Sequence, residues 1–208
     1  MSDLTTSNTS SHIAEVIGAS ITSFNAQAYS TIRPPFGSFV KAMCQGDHQG
    51  LEIFGVVFDV VMSPRDHIHK PRALGLTREQ LRSEQPHIFA LLETQIKAQI
   101  IGYRDVHGRI HQHLPPGPPD IHDFVDVCDK SEVKQLCASF EYLRLLEGAQ
   151  GVPVDELIAA SLREAARTAS TDKQTERSFL LSAGRKISQL YRSDYERMTA
   201  IIRKISPQ

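Results

Sequence analysis

The sequence predicts an α+β protein in which a small antiparallel β-barrel is followed by an α-helical region. Two observations predict this class. Stretches rich in Val, Ile, Phe and Thr alternate with Gly and Pro over residues 13–62, a pattern typical of short consecutive strands joined by turns. After Asp129 the spacing of the apolar residues changes from every second position to the helical period of about 3.6.

Three segments follow from these patterns. Residues 1–12 are polar and rich in Ser and Thr. They are predicted to form a disordered tail, because they cannot bury enough surface to offset the entropy of ordering. Residues 13–128 are predicted to form the barrel, with a helical insertion near 77–93. Residues 129–208 are predicted to form an α-helical arm.

The barrel is predicted to contain about six or seven strands. On the second strand, Phe24 and Ala26 belong to the more apolar face and are expected in the core. The fourth strand is apolar on both faces, as in a strand covered on both sides, and Gly55 in its middle predicts a bulge or a sharp bend. Asp59 in the same strand needs a partner if it is buried. The predicted strands are 13–17, 20–29, 36–43, 51–62, 96–104, 109–114 and 123–128.

The insertion is predicted from two helix starts. Thr77 and Gln80 form a capping-box pattern. Pro86 is placed to begin a second short helix that ends at Glu93. The next strand is expected to begin at Ile96, and the turn at 105–108 then joins it to its hairpin partner.

The arm is predicted to contain three helices, at about 130–147, 155–169 and 173–205. The last helix would be about 45 Å long at about 1.5 Å per residue, whereas a barrel of about 115 residues is about 30 Å across or less. Its apolar stripe would therefore overhang the barrel and need cover, either from another chain or from the two preceding helices, which are each shorter and can cover only part of it. The predicted interface with a second copy or another protein consists of Tyr191, Met198, Ile201 and Ile205, flanked by Arg192, Arg197 and Arg203.

The charge is distributed unevenly between the two halves. The chain has a formal net charge of −1. Residues 1–128 hold 10 Lys and Arg against 13 Asp and Glu, whereas residues 129–208 hold 13 against 11. The last predicted helix is the most basic segment, with a net charge of +5 over residues 173–204. Such a face contacts phosphate backbones or an acidic protein, or it is simply solvated.

Composition and cysteine spacing favour a cytoplasmic protein. Cys44, Cys128 and Cys137 form no CxxC pair, which indicates neither a disulfide framework nor a zinc knuckle. A reducing cytoplasm is the simplest compartment for such a chain. The N-terminal residues lack the features of a secretory signal, and no apolar stretch has the length of a membrane span, so no membrane contact is expected.

No complete catalytic or metal-binding set is predicted. His67 with His69 and His111 with His113 are HxH pairs that can share a strand face and bind one metal, with Asp66, Asp120 and His122 as further ligands. Alternatively, these histidines are exposed residues of a loop and a hairpin that bind no metal. This second interpretation is preferred, so no metal is expected. Asp105, His107 and His111 suggest acid–base chemistry, but a turn explains the first two more simply. Cys137 is expected to be buried as a small apolar residue.

Several different short motifs are spread over the first half of the chain. They are Ile17-Gly18 with Thr22 and Phe24, the segments 35–40 and 55–60, Gly102-Tyr103 with Gly108-Arg109, and the prolines of 114–119. Over about residues 13–128 these motifs resemble the HAS-barrel, a small β-barrel shared by HerA-type ATPases and the α and β subunits of rotary ATP synthases. The resemblance implies subunit contacts, ring assembly and partner docking.

The chain departs from that family in lacking an ATPase domain. No GxxxxGK[ST] motif occurs, so neither nucleotide binding nor any other cofactor is expected. The leading hypothesis is a non-catalytic assembly or adaptor protein that makes protein–protein contacts. An accessory DNA-processing factor that binds through the basic last helix is the alternative, and a metal-dependent hydrolase that uses the histidines is a third.

Overall fold

The first half of the chain is a closed antiparallel barrel. The structure is a computed structural model that describes residues 12–29, 33–64, 73–86, 88 and 91–206. Six strands close in the order β2-β1-β7-β3-β4-β5 and back to β2, and β6 extends the sheet beyond β5. The predicted α+β class is therefore confirmed. The strands are β1 Ala14–Ala19, β2 Ser23–Ala28, β3 Phe39–Met43, β4 Glu52–Pro64, β5 Leu92–Arg104, β6 Ile110–His111 and β7 Phe124–Val127.

Long, bent strands close the barrel. β5 pairs with β4 along one edge and with β2 along the other. The register between β4 and β5 shifts at Phe54/Gly55 and again at Val57/Asp59, and such irregularities bend a strand. A Cβ at Gly55 would lie 2.9 Å from the Cβ of Ala98, so the crowded bend requires glycine. The bulge predicted at Gly55 is confirmed.

The barrel interior is a packed core, and part of its outer face is also buried. Inward residues such as Phe24, Ala26, Val40 and Ile53 are fully buried, as the alternation on the second strand predicts. The neighbouring outward residues of β3, β4 and β5 are buried too, in a second cluster. The prediction that the fourth strand is covered on both sides is thus confirmed for residues 53–57, whereas the residues that follow are half-buried and Met62 is exposed. Asp59 finds its partner across the ladder, because Lys97 donates to its carboxylate at 3.0 Å.

The insertion contains α1, Arg78–Glu84, with the expected capping box between Thr77 and Gln80. The second helix is predicted to end at Glu93, and this boundary is wrong, because β5 already begins at Leu92. Residues 87, 89 and 90 lie outside the described residues, as do His67, His69 and the predicted tail up to residue 11. His12, the last residue of the predicted tail, stacks its ring on Phe124, and its Nδ1 lies 2.9 Å from Asp126 Oδ1.

The second half contains five helices within its described residues, not the three predicted. They are α2 Lys130–Leu136, α3 Leu143–Leu146, α4 Val154–Ala169, α5 Lys173–Leu190 and α6 Tyr195–Ile205. The helix predicted at 130–147 is interrupted, because Phe140 adopts a positive φ of 55° and packs edge-on against Phe179. The amide of Tyr142 then donates to the Gln112 side chain instead of to a helical carbonyl.

The helices pack on the outer face of the barrel through one shared core. Tyr142 is fully buried and meets Phe39 of β3 edge-on, with ring centroids 5.6 Å apart. An ion-pair network lies beside this core, in which Lys41 and Arg104 of the barrel both donate to Glu132 of α2. The predicted division at residue 128 is therefore crossed by a continuous cluster and stays a prediction. Among the described helices, none is both long enough and apolar enough to cross a membrane.

Candidate partner-binding surface

The last predicted helix is two helices in the structure. α5 ends at Leu190, and α6 begins only at Tyr195. Asp194 stands between them and its side chain accepts from the amide of Arg197 at 3.0 Å. An aspartate that bonds the backbone in this way favours a helix start over a helix interior. The single continuous helix is wrong, and with it the overhang from which the interface was predicted.

The apolar members of the predicted interface lie against this chain's own helices. Ile201, Ile205 and Tyr191 are 0%, 3% and 9% exposed, and Met198 packs on the same cluster. Arg192 and Arg203 are exposed. The proposed interface role of these residues stays a prediction, but the apolar stripe of α6 already has cover within the chain.

Arg197 joins α6 to two other helices. Its Nε donates to Asp155 at 2.7 Å and its Nη2 to Glu147 at 3.0 Å, while its guanidinium stacks 4.5 Å from the centre of the Tyr191 ring. Partial burial opposes the charge, but the hydrogen bonds to the two carboxylates outweigh it and raise the pKa of Arg197. Burial and the bond to Glu147 raise the pKa of the Tyr191 phenol. Arg197 is thus committed to intrachain contacts.

A wide groove in the second half of the chain lies between α4, α5 and the end of α6. Its volume is about 1180 Å³. Five of its lining side chains are cationic and two are anionic. We call it the basic groove, and its charged residues are Arg163, Arg167, Lys173, Arg177, Lys204, Glu164 and Glu176.

The cations of the basic groove differ in how far they are neutralised. Arg167 donates to Glu164 at 2.6 Å, which raises the pKa of that arginine, and Lys204 pairs with Glu156. Arg163 donates only to the carbonyl of Lys204, at 2.7 Å. Lys173 and Arg177 form no ion pair with any described residue. They stand in the first turns of α5, where the helix dipole disfavours positive charge. The end of the basic groove that is lined by Lys173 and Arg177 therefore carries the excess positive charge.

A smaller groove continues from the basic groove along the other side of α5. Its volume is about 410 Å³, and it shares Arg177, Leu180, Ile205 and Ser206 with the basic groove. We call it the apolar groove, because its remaining lining is mostly aliphatic or small. The further lining residues are Leu181, Gly184, Arg185, Ser188 and Ile202.

Two details of the apolar groove are unusual for a free surface. Leu181 is 58% exposed, although α5 has apolar residues that are well covered. Gly184 lies inside α5, where glycine is less favourable than alanine, yet a Cβ at this position would meet nothing within 4 Å. Packing within the described chain therefore gives no reason for this glycine.

The two histidines of the predicted pair at 111 and 113 each have a separate hydrogen-bond partner. His111 Nε2 contacts Asp105 at 2.9 Å, and His113 Nδ1 contacts the carbonyl of Leu114 at 3.0 Å. Asp105 also accepts from the amides of His107 and Arg109, both at 2.9 Å, as expected for a turn. The bond to His111, followed by these backbone bonds, lowers the pKa of Asp105. The described residues contain no group of three or more His, Cys, Asp or Glu side chains able to hold a metal.

The three cysteines are free and buried. Burial raises the pKa of the Cys137 thiol to about 12, and burial together with the nearby Asp123 carboxylate raises that of Cys44 to about 12. Such thiols are inert near neutral pH, because the thiolate is the nucleophile. The predicted burial of Cys137 is confirmed.

A comparison with models of known protein families gave no match, and a comparison with curated proteins gave no significant match.

Only part of this surface is predicted from the sequence. The basic residues of 173–204 are recognisable, but as members of one continuous helix. The contribution of α4 is not predicted, although Arg163 and Arg167 are four residues apart, as are Lys173 and Arg177 on the next helix. Side chains at this spacing share a helix face. Two such pairs on consecutive helices are the pattern that could have indicated a shared groove.

Proposed function

We propose that the chain is a non-catalytic assembly or adaptor protein whose helical region binds an acidic partner. The observation that carries the proposal is the basic groove, in which five cationic side chains stand against two carboxylates. A positive surface of this kind attracts a negative partner and sets its orientation. The barrel would serve as the rigid support, in keeping with the docking role that its HAS-barrel resemblance implies.

The chemistry of the barrel fits this assignment better than it fits a hydrolase. His111 and His113 each have their own hydrogen-bond partner. The buried thiols of the described barrel and helices are protonated near neutral pH. A cytoplasmic location remains a prediction, and it suits three cysteines that form no disulfide.

The basic groove also keeps the DNA-processing hypothesis as a second candidate. Cations that contact phosphates release counterions, so log affinity falls with log salt by about 0.9 per phosphate contacted in duplex DNA. If all five cations contacted DNA, the slope would approach about −4.5. No aromatic side chain lines either described groove, and single strands bind largely by stacking on aromatic rings. Duplex DNA is therefore the relevant nucleic-acid probe.

The experiment isolates the tagged full chain from the cells that produce it and reconstitutes any stoichiometric complex from purified components. Sedimentation velocity then compares the parent chain with a K173E/R177E variant. We expect the complex to weaken at least tenfold in this variant. The proposed partner binds the basic groove instead of the interface predicted around Arg192 and Arg203. The matched control is therefore R192E/R203E, which changes the charge equally at exposed arginines outside the two grooves and should bind as the parent does.

Two results would overturn the proposal. The first is a chain that forms no stoichiometric complex with any protein. The second is a complex that both charge-reversed variants form equally well. Binding to a 30-base-pair duplex by fluorescence anisotropy, with a salt slope that decreases in K173E/R177E alone, would support the DNA-processing alternative instead.

A further inference from the structure

We infer that the apolar groove between α5 and α6 binds an amphipathic helix of another protein, whose apolar face is flanked by acidic residues. This inference deepens the proposed function and rests on it. It names the kind of partner segment and the position on α5 where that segment would pack. Three features point to it: the exposed Leu181, the unexplained Gly184, and the two arginines that line the groove, Arg177 and Arg185.

The shape of the groove suits a helix. Arg177, Leu181, Gly184 and Ser188 follow one another at spacings of four, three and four residues, so they form one continuous face of α5. Ile202 and Ile205 of α6 form the opposite wall. An amphipathic helix binds such a groove by placing apolar anchors at positions i, i+3 or i+4, and i+7. Leu181 would then be buried under the partner.

Gly184 allows the partner to approach closely. Glycine is used where a backbone must come near another group, and here the space above it is open within the described structure. One turn later, the Ser188 hydroxyl donates to the carbonyl of Gly184 at 3.0 Å. Because this hydroxyl is already bonded, an apolar partner can cover it without leaving an unpaired polar group.

Charge identifies the partner as acidic. Arg177 and Arg185 line the apolar groove, no carboxylate lines it, and neither arginine forms an ion pair with a described residue. A second copy of α5 packed symmetrically at Gly184 would bring the same two arginines from the other chain, and like charges in an interface disfavour pairing. Nucleic acid fits less well, since the walls of this groove are leucine and isoleucine. An acidic amphipathic segment satisfies both the walls and the rim.

The first test places a photo-crosslinking p-benzoylphenylalanine at position 181 of the full chain in the cells that produce it. The control places it at Gln189, which is exposed on the same helix and lies outside the groove. We expect a protein adduct at 181 that is absent at 189. Sequencing of the crosslinked peptide should show helical apolar spacing and an excess of Asp and Glu.

The second test uses a purified probe, a 20-residue peptide with leucines at i, i+3, i+4 and i+7, glutamates only at the positions that flank this apolar face, and alanine and glutamine elsewhere to keep it helical. Calorimetry measures its affinity for the full chain. R177E/R185E should weaken binding at least tenfold, and R192E/R203E should leave it unchanged. A scrambled peptide of the same composition has the same charge but no continuous apolar face. It should therefore bind at least tenfold more weakly.

Gly184→Ala separates docking from folding. Alanine is the better helix former, so the thermal midpoint should rise, whereas peptide affinity should fall at least fivefold because the added methyl enters the groove. Ser182→Ala, on the same helix outside the groove, should leave peptide affinity unchanged. If Gly184 had a purely structural role, a rise in the thermal midpoint of G184A would not be accompanied by a loss of peptide affinity.

The inference and the proposed function fail in different ways. An adduct at 181 to a second copy or to nucleic acid, or equal affinity for the ordered and scrambled peptides, would overturn the inference. A complex that is lost in K173E/R177E but gives no adduct at position 181 would also overturn the inference. In that case the proposed adaptor role would still stand. Absence of any stoichiometric protein complex would overturn both.

Discussion

At the scale of single residues, Arg197 shows how a cation from a basic segment becomes part of the fold. It joins α6 to Asp155 at the start of α4 and to Glu147 after α3, and it covers the Tyr191 ring. The sequence places Arg192, Arg197 and Arg203 in the same basic segment and gives no means of distinguishing them. Only the positions of the two carboxylates, which lie more than 40 residues away in the chain, make Arg197 different.

The first prediction concerns Arg197. Arg197→Met should lower the free energy of unfolding by about 1–2 kcal/mol, because charge-assisted hydrogen bonds contribute more than exposed ion pairs. Urea denaturation followed by circular dichroism measures the change. Arg192→Met is the matched control, since Arg192 is exposed, and it should change the stability by less than about 0.5 kcal/mol. Equal losses in the two variants would show that the network contributes nothing.

At the scale of elements, apolar periodicity located the strands and the helical face but not the interruptions of the helices. The alternation on β2 and the two apolar faces of β4 identify core positions directly, because a strand has only two faces. The first interruption begins after Leu136, and Phe140 within it packs against Phe179, which lies far along the chain. The interruption at Asp194 is local, since an aspartate after Ser193 is a recognisable helix start. The apolar residues on both sides of Asp194 keep the helical spacing, and for this reason the sequence predicts one continuous helix.

The second prediction tests the interruption between α5 and α6. Asp194→Ala removes the side chain that accepts from the amide of Arg197, and loss of such a cap lowers the free energy of unfolding by about 1 kcal/mol. Ser193→Ala, one residue earlier, is the control and should have little effect, since Ser193 caps neither helix. Urea denaturation compares the three proteins. Unchanged stability in Asp194→Ala would mean that α6 is held in place by its packing alone.

At the scale of the whole molecule, the barrel and the helices depend on each other. β3, β4 and β5 bury side chains on both faces, and their outer face belongs to the same cluster as the helices. The sequence correctly indicated that the fourth strand is covered on both sides. It could not show that the cover is the helical region, because which helix face meets which strand is decided by contacts distant in sequence. The predicted arm is therefore packed on the barrel, whatever its status as a domain.

The final prediction is that the two halves unfold together. Phe39, Phe54, Val56 and Ile101 lie on the outer face of the barrel and are buried against the helices. Burial of such side chains contributes about 1.5–3 kcal/mol each, so the four together contribute about 6–12 kcal/mol. That is comparable to the whole stability of a typical domain, about 5–15 kcal/mol. Residues 13–128 alone should therefore not form a stable barrel.

The native cysteines provide the measurement. Cys44 lies in the barrel interior and Cys137 in the cluster under the helices, and both thiols have a pKa raised to about 12. In the folded protein at pH 8 they should resist a brief pulse of iodoacetamide, because reactivity requires the thiolate and access. Mass spectrometry of one sample across a urea series gives the unfolding midpoint at each thiol. Coincident midpoints are expected because the shared cluster must open before either half loses its core, whereas separated midpoints would establish residue 128 as a true domain boundary.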